Sequence, residues 1–277
     1  MNSKVIFLDI DGTLTMPGSN EPPASALRAI AQARENGHRV FLCSGRNPGM
    51  LSPLLKFGFD GYVSSSGGYV VCGEDVIYDC PMTPEQQKTA LESLQKNGVF
   101  RTVECRDASY TDESFKQFLK DYAGSTGNSE LLRWREQLEQ SLHIEPMEKY
   151  AGDPIYKVVM MFNDMAQLEE PKRLLEKDFA FVIQEQGEAG IINGELVNRS
   201  FDKGQGIRRV CEHLGMSIAD SVGFGDSNND REMLETVGLA ICMENGSSEM
   251  KAIAHEIAPR VEEDGLYHMF VKHGWAL

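Results

Sequence analysis

Two aspartates, Asp9 and Asp11, stand two positions apart just after the apolar run Val5-Ile6-Phe7-Leu8, and Gly12-Thr13 follows them. Side chains alternate along an extended chain, so positions i and i+2 fall on one side. Both carboxylates are expected to project together from the carboxyl end of a central strand, where open α/β sheets place their ligands. Like charges held that close cost stability unless a cation, or an anionic substrate with its metal, compensates. Gly12 permits a tight turn and a close backbone approach, and Thr13 adds a hydroxyl and an N–H. A lone Asp-x-Asp is usually a solvated turn, but further segments sit at matching element boundaries. Ser44 and Gly45 follow Val40-Phe41-Leu42-Cys43, and Lys203 lies in Phe201-Asp202-Lys203-Gly204, just ahead of a helix. Gly225-Asp226-Ser227-Asn228-Asn229-Asp230 follows the short strand Ser221–Phe224. Singly, these are an ordinary Ser-Gly turn, a surface lysine and a capped Asp/Asn turn. In this order they form a set.

The set suits phosphoryl transfer through a covalent aspartyl-phosphate. One carboxylate can attack phosphorus and so split a hard hydrolysis into two easier steps. The second, two residues on, can protonate the leaving alkoxide and then take a proton from water. Lys203 and Mg²⁺ would together neutralise the charge that builds on the five-coordinate phosphorus. Mg²⁺ prefers oxygen ligands and keeps several waters, which suits Asp9, the backbone carbonyl of Asp11, and Asp226. Ser44 and the backbone N–H groups around it, at Gly45 and at Gly12 suit phosphate oxygens.

Alternating strands and helices must hold these groups. Ala24 to Asn36 reads as an amphipathic helix that Gly37 stops, His38 to Cys43 as a strand, and Asn47 to Lys56 as a helix bent near Pro53. Gly61 to Ser66 leads to Gly67-Gly68, and Tyr69 to Cys72 with Val76 to Tyr78 reads as a hairpin. This alternation predicts right-handed βαβ units and a parallel sheet. After Pro81-Met82-Thr83-Pro84 the rhythm changes. Thr83 is the expected N-cap of a helix over Pro84 to Lys96. Strands are expected at Val99 to Cys105, Lys157 to Asn163 and Phe179 to Gln184, and helices at 112–122, 130–142 and 167–176. A flexible loop is expected at 124–129. From Gly190 the doubly wound rhythm returns, with helices over 204–214, 230–237 and 247–255 and a strand over 239–243. The fold class is therefore α/β: a Rossmann-like doubly wound parallel core, residues 1–81 and 189–277, interrupted by an inserted α+β cap, residues 82–188. Linkers rich in Gly, Pro and small residues make that cap's attachment hinge-like.

The chain has 277 residues, 41% of them apolar and 25% charged, which is ordinary for a globular protein. Its 27 Lys+Arg against 42 Asp+Glu leave a net charge of −15, which argues against nucleic acid or an anionic membrane surface as partner. A small anionic metabolite is still allowed where a cation and a few aimed bases override the global field. The N-terminal apolar run is too short for a signal peptide, and no stretch reaches membrane-spanning length. The scattered cysteines then read as reduced thiols in a cytoplasmic protein, with Cys43 and Cys242 as core fillers. A monomer or weak homodimer is expected.

Taken together, Asp9-Ile10-Asp11-Gly12-Thr13, Ser44, Lys203 and Gly225-Asp226-x-x-Asn229-Asp230 resemble the four motifs of the haloacid-dehalogenase-like hydrolases. The large insert between the second and third motifs resembles that of their Cof-type sugar-phosphate phosphatases. The resemblance implies Asp9 as nucleophile and metal ligand, Asp11 as general acid/base and metal ligand through its carbonyl, and Asp226 as metal ligand. It implies Ser44 and Lys203 for phosphate binding, with Lys203 also orienting Asp9, and Asn229 and Asp230 supporting phosphate and the metal's waters. Arg46 matches an arginine that in relatives often meets substrate. Ser66-Gly67-Gly68 departs from the Asn-Gly-Ala of many relatives. The implied activity is Mg²⁺-dependent hydrolysis of small phosphate monoesters, sugar phosphates first. The alternative is a phosphomutase or phosphotransferase of the phosphomannomutase-like type. A receiver-like signalling domain would put its phosphorylated Asp on a later strand and carry no insert, and a binding protein with a dead site does not need an intact Asp9 and Asp11. Specificity is expected in the insert, with Arg46, Ser66, Lys157 and Glu185 as candidate contacts; Lys157 alternatively reads as an edge-strand charge.

Overall fold

The computed structural model describes residues 3–112, 144–183 and 192–277, which fall into two compact units. The first comprises Met1–Arg46, Leu51–Asp79 and Phe201–Leu277. Its strands are β1 (Val5–Leu8), β2 (Arg39–Cys43), β3 (Gly61–Ser64), β4 (Tyr69–Cys72) and β5 (Asp75–Asp79), continued late in the chain by Ser221–Gly225, Leu239–Met243 and Glu256–Ala258. These last three are β12, β13 and β14, since β6 to β11 belong to the second unit. The sheet order is β14-β13-β12-β1-β2-β3-β4-β5. Pairing is parallel from β14 to β3 and antiparallel in the β3-β4-β5 meander.

Every residue of β1 is buried, as both faces of a doubly wound sheet require. Ile6 and Leu8 join one apolar cluster with Val40, Leu42, Val222 and Phe224, while Val5, Phe7, Phe41 and Cys43 join another on the opposite face. The period-2 alternation thus serves two cores. One is roofed by the helix α1 (Ala24–Glu35) through Ala26, Ala29, Ile30 and Ala33, and the other by the helix Lys203–Leu214 through Ile207, Val210 and Cys211. From β1 the chain order runs one way to β2 and β3 and the other way to β12 and β13. This reversal opens a crevice at the carboxyl ends of β1 and β12, where doubly wound folds bind ligands.

The second unit comprises Asn47–Met50 and Cys80–Ser200. Its sheet joins β6 (Phe100–Cys105), β7 (Ser109–Thr111), β8 (Ile144–Pro146), β9 (Ile155–Phe162), β10 (Phe179–Ile183) and β11 (Ile192–Asn198) in the order β10-β11-β9-β6-β7-β8. All pairs are antiparallel except β7 with β8. Val103, Val158, Met160, Phe162 and Leu196 pack with Ala90 and Leu94 of the helix Pro84–Lys96 and Leu175 of the helix Glu169–Leu175. Thr83 caps the first of these helices in a reciprocal box with Gln86.

The architecture is the doubly wound α/β core with an α+β insert. Two details correct the sequence expectation. The stretch from 189 is not yet core: β11 pairs with β9 and β10, and the chain rejoins the first unit at Phe201. Its partner strands lie far off in sequence, so nothing local to Ile192–Asn198 distinguishes the two sheets. Lys157 is not on an edge, because β9 is flanked by β6 and β11. The helix expected over 112–122 lies, past Asp112, outside the described residues, as do the helix expected over 130–142, the 124–129 loop and Glu185.

Candidate active site

The chain leaves β1 through a tight loop in which the N–H groups of Thr13, Leu14 and Thr15 all reach back to the carbonyl of Ile10. Gly12 takes φ +83°, and a Cβ there would lie 2.4 Å from Asp226 Oδ2. Only glycine meets both demands without strain. Asp9 is buried at the strand's end, its N–H bonded to the carbonyl of Phe224 in β12.

Lys203 opens the helix Lys203–Leu214, which Asp202 caps through the N–H of Gln205. The helix start lies close against the helix Arg231–Thr236: a Cβ on Gly204 would meet Glu232 O at 2.5 Å. The Lys203 ammonium, 1% exposed, donates to Asp9 Oδ1 at 2.8 Å and to Asp230 Oδ1 at 2.5 Å. It also lies 3.4 Å from Asn229 Oδ1. The other oxygen of Asp230 accepts from the N–H groups of Asp226 and Ser227, so this fully buried carboxylate ties the turn after β12 to Lys203.

One oxygen each from Asp9, Asp226 and Asp230 lies within 4.8 Å of the others. Burial, then Asp230 and against the pull of Lys203, pushes Asp9 up to about 7. Burial, then Asp9 and Asp230, pushes Asp226 up to about 8. Burial works to lower the ammonium of Lys203, but Asp230 and Asp9 outweigh it and hold the lysine charged. Three acids against one lysine leave an excess of negative charge, and Asp226 Oδ1 is buried with no hydrogen-bond partner among the described residues. An all-oxygen cluster with such an orphan fits a divalent cation.

Ser44 is buried at the end of β2; its Oγ accepts from the N–H of Arg46, and its carbonyl accepts from the N–H of Ser66. Gly45 has no positive φ, so it does not serve the strained turn for which a glycine is obligatory. Ser66 does: it sits at φ 56° beside Ser65 at φ 49°. Arg46 is expected, from the sequence, as a substrate contact. It is 1% exposed and its guanidinium is engaged with Asp11 and Asn20. Lys157, also expected as a contact, bonds Glu195 Oε1 at 2.6 Å in the second unit's sheet. Asn245, which no motif flags, bridges the Gly12 carbonyl at 3.0 Å and Asp226 Oδ2 at 2.9 Å. Its signal was positional, since it follows β13 as Asp226 follows β12.

A family model for haloacid dehalogenase-like hydrolases matches residues 6–270. The chain belongs to that family. YkrA of Bacillus subtilis (strain 168) is 29% identical over 267 residues, covering 96% of each chain. An HMP-PP phosphatase of Yersinia enterocolitica is 25% identical over 98% of this chain and 94% of its own. The solved structure of BT4131, a sugar phosphatase of subclass IIB, superposes with a TM-score of 0.73 at 22% identity over 99% of this chain and 100% of that one. The protein is thus an enzyme of the phosphatase class of these hydrolases, and the likeness to BT4131 extends over both units of the fold. Among the described residues, no helix is long and apolar enough to cross a membrane.

Proposed function

We propose that the protein hydrolyses small phosphate monoesters, sugar phosphates among them, with Mg²⁺ as cofactor and a phosphoryl group carried on Asp9. The observation that carries this is the buried Lys203 between Asp9 and Asp230, with Asp226 completing the acidic cluster at the crevice beside β1. Asp9 presents a carboxylate whose Oδ1 is fixed by Lys203 at 2.8 Å, which orients it for attack on phosphorus. Asp11 gives a proton to the departing alkoxide and takes one from the water that frees Asp9. Lys203, Ser44 and the backbone N–H groups near Gly12 and Gly45 hold the phosphoryl oxygens, and Asn229 supports them. Asp9, the Asp11 carbonyl and Asp226 would hold Mg²⁺, with Asp230 steadying the site; bound there, the ion supplies positive charge to the transferring phosphoryl group. Relatives named for different phosphorylated substrates support a phosphatase without choosing the substrate. The groups for phosphate and metal all lie in the first unit, so substrate selection is assigned to the second.

A panel of phosphorylated metabolites assayed with Mg²⁺ and with EDTA tests this reading. It predicts metal-dependent release of phosphate from sugar phosphates. Turnover unaffected by EDTA, or no phosphate release from any monoester, would contradict it.

A further inference from the structure

Arg46 is among the largest fully buried side chains of the molecule: its side chain is 0% exposed, while that of Asp11 is 20% exposed. Arg46 Nε donates to Asp11 Oδ2 at 3.0 Å and Nη2 donates to Asp11 Oδ1 at 2.7 Å, a two-toothed fork. The Gly18 N–H donates to Asp11 Oδ1 at 3.0 Å, and Arg46 Nη1 donates to Asn20 Oδ1 at 2.6 Å. The arginine's own backbone is pinned at both ends, with its N–H on Ser44 Oγ at 3.2 Å and its carbonyl on the Ser65 N–H at 2.8 Å.

We propose that Arg46 is a positioning residue for Asp11, with Asn20 steadying the arginine in turn, and not a substrate contact. A guanidinium taken wholly out of water is tolerated only when its donors are paired, and here the pairing fixes the plane of the Asp11 carboxylate. The rigid fork sets two atoms at once, which a lysine's single ammonium cannot do. A carboxylate that must meet a leaving oxygen and then a water gains from being held in one orientation before either arrives. The same peptide links Arg46 to Ser44 through the Ser44 Oγ bond, so the phosphate-holding serine and the acid/base group share one scaffold.

The proposal rests on the assignment of Asp11 as general acid, and leaving groups separate the two. An alkyl phosphate such as glycerol phosphate expels a strongly basic alkoxide that needs a proton; p-nitrophenyl phosphate expels a weakly basic phenolate that hardly does. In R46K, kcat/KM for the alkyl ester, which covers only the steps through leaving-group departure, should fall about 100-fold, the span of a lost general acid, while kcat/KM for p-nitrophenyl phosphate falls only about threefold. In contrast, kcat falls for both, because both share the water step that Asp11 also serves. N20A should show the same pattern more weakly, and it carries the test if R46K does not fold. A rise in KM for both esters with kcat kept would make Arg46 a substrate contact and overturn the proposal. An equal loss of kcat/KM on both esters, or no effect of either substitution, would overturn it as well. Should the wild-type protein turn over neither ester, the phosphatase reading fails by itself. Crystal structures of wild type and R46K then decide the positioning role. The Asp11 carboxylate must leave the Gly18 amide in R46K, and an unmoved Asp11 would overturn it.

Discussion

Each unit buries a lysine between two carboxylates, and the placement differs. In the first, Lys203 starts a helix and joins Asp9 from the end of β1 to Asp230 from the turn after β12. In the second, Lys157 lies mid-strand in β9, directly opposite Glu104 of β6 and diagonal to Glu195 of β11, with N–O distances of 3.5 and 2.6 Å. The second trio follows from the register of an antiparallel ladder, where cross-strand neighbours of opposite charge meet as a matter of course. The first gathers groups from separate strand ends at the point where the sheet's order reverses, and it adds a third acid. A lysine between carboxylates therefore makes a cross-strand tie in one sheet and a candidate reaction centre in the other.

Lysine substitutions should break the comparison most sharply. Lys203→Met is expected to lower kcat by about 10³-fold, the scale for removing a preorganised charge from a phosphoryl-transfer site. Lys157→Met should leave turnover of p-nitrophenyl phosphate little changed while costing about 3 kcal/mol of stability, because it strands the buried Glu104 and the partly buried Glu195. Steady-state kinetics and urea unfolding of the two variants decide it. Loss of activity in both, or of stability in neither, would erase the contrast drawn between the two trios.

A glycine sharpens it. Gly12→Ala forces a side chain into φ +83° and against Asp226, so it should cost about 2 kcal/mol and weaken Mg²⁺ binding measured by calorimetry. An alanine variant that binds Mg²⁺ as wild type does would show that Asp226 can yield without consequence.

The charge imbalance of the first cluster, Lys203 against Asp9, Asp230 and Asp226, gives the smallest effect. Mg²⁺ must displace the protons that Asp9, at about 7, and Asp226, at about 8, take up below those values. Affinity should therefore rise by about tenfold or more between pH 6 and pH 8 and flatten above. Titration calorimetry in buffers of different ionisation enthalpy would register the released protons; a pH-independent affinity would place the ion elsewhere.

Much of the first trio was legible in the chain itself. The apolar run into Asp9 and Asp11, the strand before Asp226 and the capped helix at Lys203 each announce themselves within a few residues, and the strand-end rule of α/β sheets joins them. What stayed hidden depends on distant partners. Arg46 and Asp11 are 35 positions apart, and no local pattern says that the guanidinium turns inward. Asn245 looks like a turn residue until β13 is set beside β12. β11 has the same apolar alternation whether it extends the first sheet or the second, and only its pairing with β9 assigns it.

The central claim is that Asp9 itself accepts the phosphoryl group. Rapid acid quench of the Asp11→Asn variant with radiolabelled p-nitrophenyl phosphate, whose leaving group hardly needs a proton from Asp11, and Mg²⁺, followed by peptide mapping, tests it directly. Asp11→Asn removes the group that activates water, so the label should accumulate as an alkali-labile acyl phosphate on the peptide containing Asp9, and Asp9→Asn should abolish it. Label on any other residue, or full turnover by a folded Asp9→Asn protein, would contradict the account.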